Sequence, residues 1–232
     1  LEQCDLGDFA SVRAFVERCR AGHGRIDVLA NNAGLYLPAR QVSPDGFESM
    51  FAINHLGPFL LTNLLGDRLD GARVVTTSSL GHAMARIDFT NLQGERRFIP
   101  MVQYGVTKLA NILFTRELAR RGRSRGLVAT CFHPGGVATE FAQDEPGVLA
   151  TLMRTFGPYL LRTPAQGADT GIWLATDGAA AQLSGSYCQD RAVRTPWGQG
   201  TDDALARALW AFSERCTGLD APATTNAAPA HA

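Results

Sequence analysis

The chain has 232 residues, with 22 basic and 22 acidic side chains, 45% apolar residues and 8% aromatic ones. That length suits one ordinary domain with a sizeable core and sets aside a wholly disordered chain. With no net charge at neutral pH, there is no general electrostatic case for nucleic acid or for an anionic membrane surface as a partner.

Leu1 to Asp5 resembles the tail of a strand. A helix is expected from Asp8 to Ala21, with Phe9, Val12, Phe15 and Val16 on one face, Asp8 or Ser11 as its cap, and Gly22 and Gly24 closing it. Ile26 to Ala30 reads as a buried strand that runs into Asn31-Asn-Ala-Gly34. The next helical stretch, Pro44 to Leu65, contains an apolar run from Ala52 that is broken by Asn54, His55, Gly57 and Pro58. It falls short of the roughly 20 apolar residues that a bilayer span needs, so no membrane segment is expected. A second strand, Ala72 to Thr77, ends in Ser78-Ser79, and a helix follows from Tyr104 to Arg121. The third strand, Leu127 to Phe132, runs into His133-Pro-Gly-Gly136. Phe141 to Thr163, with Pro146, Gly147, Gly157 and Pro158 around a short apolar helix, reads as an excursion from the sheet. Helices from Ala165 to Thr176 and Asp202 to Cys216 complete the pattern, and Asp220 to Ala232 reads as a disordered tail.

Short apolar strands alternating with longer helical runs predict an α/β fold. The expected architecture is a single Rossmann-like domain over residues 1–219, a doubly wound parallel sheet with crossover helices on both faces. Cys4, Cys19, Cys131, Cys188 and Cys216 are odd in number and widely spaced, which suits a reduced, cytoplasmic chain better than a disulfide or zinc framework.

Three polar segments fall at the carboxyl ends of expected strands, where open α/β sheets bind ligands: Asn31 to Gly34, Ser78-Ser79 and His133 to Gly136. A fourth feature, Tyr104-Gly-Val-Thr-Lys108, opens a helix, and residues four apart share a helical face. Lys108 is the only lysine among the 22 basic residues. A cation beside a phenol stabilises the phenolate and would draw the Tyr104 pKa down toward working pH, as a general acid/base requires. Ser79 could hold a substrate carbonyl against that phenol, and Asn54 could orient a water or the lysine. Each piece has a plainer reading: Asn-Gly turns, serines that satisfy backbone groups at strand ends, and exposed Tyr–Lys pairs are common. Their order and joint placement carry the functional reading.

In that order and approximate spacing, Asn31-Asn-Ala-Gly34, Asn54, Ser79, Tyr104-x-x-x-Lys108 and Pro134-Gly135 resemble the short-chain dehydrogenase/reductase superfamily. The likeness covers about Leu1 to Gly218. The 25-residue gap from Ser79 to Tyr104, the segment Asp88 to Glu95, the run Lys108 to Ala119 and the ending with Trp210 make the chain most similar to the retinol dehydrogenase-like branch.

The resemblance implies an NAD(P)-dependent oxidoreductase that interconverts an alcohol and a carbonyl on an apolar small molecule. Tyr104 would move the proton, Lys108 would lower its pKa and bind the nicotinamide ribose, Ser79 would hold the carbonyl, and Asn54 would support the proton relay. Asn31, Ala33 and Gly34 would lie along the adenosine half of the cofactor with Asp5 near the adenine, while Pro134, Gly135, Val137 and Thr139 would meet the nicotinamide and phosphates. The resemblance favours NADP slightly over NAD. Leu149, Leu152, Met153, Phe156, Tyr159 and Leu160 suggest a lid over an apolar substrate, or equally core packing or a subunit contact in a homo-oligomer. The family's glycine-rich turn, which seats pyrophosphate on a helix N-terminus, does not occur in these 232 residues. On that pattern the sequence looks like a member without its first βα units, at ~30 residues or more per βαβ unit. The alternative is a non-catalytic binding or scaffold protein that keeps the fold.

Overall fold

The computed structural model describes residues 1–136 and 162–220 of the chain. The expected excursion and most of the expected tail lie outside these residues, as do Val137 and Thr139. The elements run in the order α1 (Phe9–Gly22), β1 (Val28–Asn31), α2 (Ser49–Phe51), a π-helical turn (Ala52–Leu56), α3 (Gly57–Leu64), β2 (Arg73–Thr77), α4 (Pro100–Gly122), β3 (Val128–Phe132), α5 (Pro164–Thr176), β4 (Tyr187–Gln189), β5 (Ala192–Arg194) and α6 (Asp203–Thr217).

The strands form one sheet in the order β1-β2-β3-β4-β5. The first four are parallel, with Ala30 opposite Val75 and Val75 opposite Thr130, and β5 returns antiparallel beside β4. This Rossmann-like sheet matches the expected class, with one addition. The β4–β5 hairpin is not expected from the sequence, because its two-residue turn, Asp190-Arg191, lacks the Asn-Gly or Asp-Gly signature. Both residues nevertheless take positive φ, 54° and 53°, the backbone that matches the strands' twist.

Alternation along the strands assigns each face. Val74 and Ala129 join a core with residues of α1, α3, α4 and α6, whereas Val75 and Phe132 pack with Leu174 of α5 on the other side. On the first side, Phe59, Phe114 and Trp210 lock α3, α4 and α6 together. Phe59 meets Trp210 edge-on at 4.9 Å between ring centroids, and Phe114 stacks on it at 5.8 Å. Full burial of side chains of this size contributes about 1.5–3 kcal/mol each.

Asp8, rather than Ser11, caps α1, its carboxylate accepting from the Ala10 and Ser11 amides. The stretch expected to be helical from Pro44 begins only at Ser49. Before it, Val42 bridges Glu48, whose buried carboxylate accepts from the Met50 and Phe51 amides and so starts the helix. Helix α4 starts one turn earlier than expected, at Pro100, which is preorganised for a first helical turn and has no amide to leave unpaired. Among the described residues, no helix is long and apolar enough to cross a membrane.

Candidate active site

The carboxyl ends of β1, β2 and β3 open onto one cleft of about 1390 Å³, and the start of α4 forms one of its walls. Gly34, Ser79, Tyr104, Lys108, Pro134 and Gly135 all line it.

Ser79 lies two residues past β2 and caps the 3-10 turn Leu80–Met84, its Oγ accepting from the Gly81 amide at 3.2 Å. That turn lies directly on α4. A Cβ on Gly105 would come within 2.5 Å of the Gly81 carbonyl oxygen, so glycine after Tyr104 is what permits the approach. The result is that the Ser79 hydroxyl lies beside the Tyr104 phenol, where it favours the phenolate. Ser78 points the other way, fully buried, and its hydroxyl donates to the Lys108 carbonyl at 2.9 Å. Of the two adjacent serines, only one faces the phenol.

Lys108 stands one turn beyond Tyr104 with its Nζ 5.5 Å from the phenol ring centroid. The side chain is buried, and Nζ donates to the Thr77 carbonyl at 3.4 Å. Burial penalises the ammonium and draws its pKa from 10.5 down to about 8. The expected lowering of the Tyr104 pKa is not found in this arrangement. Burial of the phenol is the larger influence and raises its pKa, with the Ser79 hydrogen bond opposing it. The i, i+4 spacing set the neighbours correctly, but the balance depends on how much water both groups lose.

Asn54 lies in the π-helical turn and is completely buried. Its amide donates to the Leu35 carbonyl at 2.9 Å and to Thr107 Oγ1 at 3.1 Å, and its Oδ1 accepts from the Leu35 amide at 2.8 Å. It therefore ties the loop after β1 to α4 beside the tyrosine. π turns inside helices often occur at such functional positions, where the extra residue redirects a side chain.

Other expected residues are placed differently. Asn31 turns inward, donating to Thr62 Oγ1 at 3.0 Å, and it is the next residue, Asn32, that lines the cleft. Ala33 is exposed beside the lining, and Asp5 lies in the loop before α1, its Oδ1 accepting from the Gly7 amide at 2.8 Å. Residues without a sequence signal also join the cleft: Tyr36 meets Tyr104 edge-on at 6.2 Å, and Leu80, Met84, Met101 and Trp197 add an apolar wall. Exposed large apolar side chains near a polar cluster could have been suspected, but their convergence needed the fold.

The residues present fit a nicotinamide cofactor on its ribose side. Lys108 has three donors, with one 3.4 Å contact to protein among the described residues, inside a nearly waterless position. A Cβ on Gly34 would stand 3.0 Å from Lys108 Nζ and 3.2 Å from Asn54 Oδ1, so the glycine leaves open the space beside the ammonium. A polar diol placed there would accept the unspent donors.

A mostly parallel sheet whose strand ends gather a serine, a tyrosine and a buried lysine defines a Rossmann-like oxidoreductase. The family model for short chain dehydrogenase matches residues 1–147. The chain belongs to that family. It is 39% identical over 222 residues to retinol dehydrogenase 12 of Mus musculus, spanning 94% of this chain and 70% of the relative. It is also 38% identical over 217 residues to a protein of Streptomyces sp. (strain C5) that bears the provisional name daunorubicin C-13 ketoreductase, spanning 93% of this chain and 74% of that one. Among solved structures, an uncharacterised protein from Mycobacterium Paratuberculosis superposes with a TM-score of 0.75 at 35% identity, covering 94% of this chain and 75% of the other. A short chain dehydrogenase from Burkholderia cenocepacia J2315 in complex with NADP shares the fold, with a TM-score of 0.61 at 23% identity over 80% of this chain and 72% of that one.

Proposed function

We propose that the protein interconverts an alcohol and a carbonyl on an apolar small molecule, with Tyr104 moving the proton. The observation that carries this reading is the Ser79 hydroxyl beside the Tyr104 phenol, with the Lys108 ammonium over the same ring. A bound nicotinamide cofactor would supply or accept the hydride. In the reductive direction, Ser79 Oγ donates to the substrate carbonyl and holds it against the Tyr104 hydroxyl, which gives up its proton to the developing alkoxide. Lys108 then offsets the charge left on the phenolate, which is where its cation matters most in a site this dry. Asn54 keeps the Gly34–Leu35 backbone and Thr107 in place around the lysine. These are the catalytic roles we assign to Ser79, Tyr104, Lys108 and Asn54.

Leu35, Tyr36, Leu80, Met84, Met101 and Trp197 favour a largely apolar substrate. The relatives' names, retinol dehydrogenase and ketoreductase, point to extended, hydrophobic alcohols and ketones. NADP is the cofactor we favour, by family resemblance. Cytoplasmic location is part of the same proposal, supported by five cysteines that are all free thiols. The test is reduction of a panel of apolar aldehydes and ketones, followed as NAD(P)H absorbance at 340 nm. Tyr104→Phe should lower kcat by about 10²-fold or more. Unchanged turnover in that variant would remove Tyr104 as the proton donor, and no turnover with any cofactor, together with no binding, would favour the scaffold alternative.

A further inference from the structure

His82 takes no part in the chemistry assigned above, yet it is almost fully buried within the turn that follows Ser79. Both ring nitrogens have backbone partners. Nδ1 lies 2.6 Å from the Ser79 carbonyl oxygen, and Nε2 lies 3.1 Å from the Trp197 backbone nitrogen. A carbonyl can only accept and a backbone N–H can only donate. The two contacts therefore fix one form of the ring: neutral, with the proton on Nδ1 and a bare Nε2. Tyr187 stands edge-on to the ring at 5.2 Å, holding its plane.

The two residues that His82 joins belong to different parts of the cleft. Ser79 is the side that would hold the substrate carbonyl. Trp197 follows the β4–β5 hairpin, is 66% exposed and lines the cleft as part of its apolar wall. A second link, from the Ile87 amide to Gln199 Oε1 at 2.7 Å, fastens the segment after Trp197 to the same strip of chain.

We infer that His82 is a positioning residue that couples the carbonyl-holding serine to a substrate wall, setting Trp197 over the cleft while it fixes the Ser79 backbone. The consequence is specificity. Large apolar substrates that reach the indole feel the loss of His82 in KM, whereas small ones that stop at Ser79 and Tyr104 feel it only through Ser79, in kcat. A purely structural histidine would change both alike. The titratable neighbour of His82 is His133, whose Nδ1 accepts from the Leu80 amide at 3.3 Å, and Arg162 and Asp190, which pair at 2.5 Å, act on His133. None of them bonds the His82 ring nitrogens among the described residues.

The kinetic part rests on the alcohol/carbonyl reading of the cleft, whereas two measurements do not. The first is the ¹⁵N NMR signature of His82 in the unaltered protein, expected to be the neutral Nδ1–H form at pH 7. The second is hydrogen exchange of the Trp197 amide, expected to quicken about tenfold or more in His82→Phe, which keeps an aromatic ring but accepts no hydrogen bond. In steady-state assays, His82→Phe and Trp197→Ala should each raise the ratio of KM for a bulky apolar ketone to KM for a small ketone by about fivefold or more. Trp197→Ala alters an exposed side chain and leaves the His82 packing intact, so it tests the wall even where His82→Phe fails to fold. An Nε2–H tautomer, an unchanged Trp197 amide in folded His82→Phe, or equal KM changes for large and small ketones would overturn the proposal. Absence of turnover with correct tautomer and exchange results would instead count against the alcohol/carbonyl reading.

Discussion

Replacing Lys108 by methionine should stabilise the protein at pH 7 while removing most of its activity. The side chain is 3% exposed and its pKa falls from 10.5 to about 8 because water cannot solvate the ammonium. At ~1.4 kcal/mol per pH unit, that difference corresponds to ~3 kcal/mol of stability withheld wherever the lysine is charged in both folded and unfolded chains. Little opposes the gain. The Thr77 carbonyl loses a 3.4 Å contact but still accepts from Asn111 Nδ2 at 3.2 Å, so no acceptor is orphaned. The contact of the cation with the Tyr104 ring is worth ~1 kcal/mol. Methionine follows the lysine stem closely in volume and flexibility, so repacking costs are small. The expected net gain is ~1–3 kcal/mol at pH 7.

The pH dependence provides the sharper test. Because the folded-state pKa lies below the unfolded one, the unfolded chain holds one more proton than the folded protein between about pH 8 and 10.5. Wild-type stability therefore rises with pH across that window, relative to the methionine variant. Urea unfolding followed by tryptophan fluorescence at pH 7 and at pH 9.5 measures both terms. A variant less stable than wild type at pH 7, or a difference that does not shrink toward pH 9.5, would refute the reasoning.

Other expectations concern neighbouring positions. Ser79→Ala should lower kcat by about 10²-fold with little loss of stability, whereas Ser78→Ala should cost ~1 kcal/mol in urea unfolding and leave kcat within a few-fold of wild type, because its hydroxyl serves the Lys108 carbonyl. Asn54→Ala leaves both the Leu35 amide and carbonyl without their side-chain partner and should cost ~2 kcal/mol, read as a lower denaturation midpoint together with reduced kcat/KM. Gly34→Ala puts a methyl within 3.0 Å of the Lys108 ammonium, the movable end of a flexible chain. It should raise the apparent Kd for NADPH in fluorescence titration several-fold while shifting thermal stability by only a few degrees.

Much of this architecture is legible without coordinates. Ile26 to Ala30, Ala72 to Thr77 and Leu127 to Phe132 are short apolar runs bounded by polar and glycine residues, and each overlaps an observed strand whose ends fall within two residues of its own. The pairing of Tyr104 with Lys108 follows from helical periodicity alone, because a residue four positions on returns to the same face. Placing the serines, asparagines and His133 to Gly136 at strand ends also needs only the alternation of elements along the chain.

Other features were decided by tertiary contact. Ser78 and Ser79 are chemically identical, and only the extended backbone that continues past β2 and the close approach allowed by Gly105 send one toward α4's backbone and the other to the phenol. The same alternation turns Asn31 inward and leaves Asn32 facing the cleft. The β4–β5 hairpin has a turn sequence that propensity disfavours, and it forms because pairing with β3 specifies the register. His82 and Trp197 lie 115 positions apart, a separation across which no local pattern can signal a hydrogen bond. Finally, local spacing brings a cation next to Tyr104, which by itself lowers a phenol's pKa. Burial is a property of the whole fold, and here it is the larger influence on both groups, raising the pKa of Tyr104 and lowering that of Lys108.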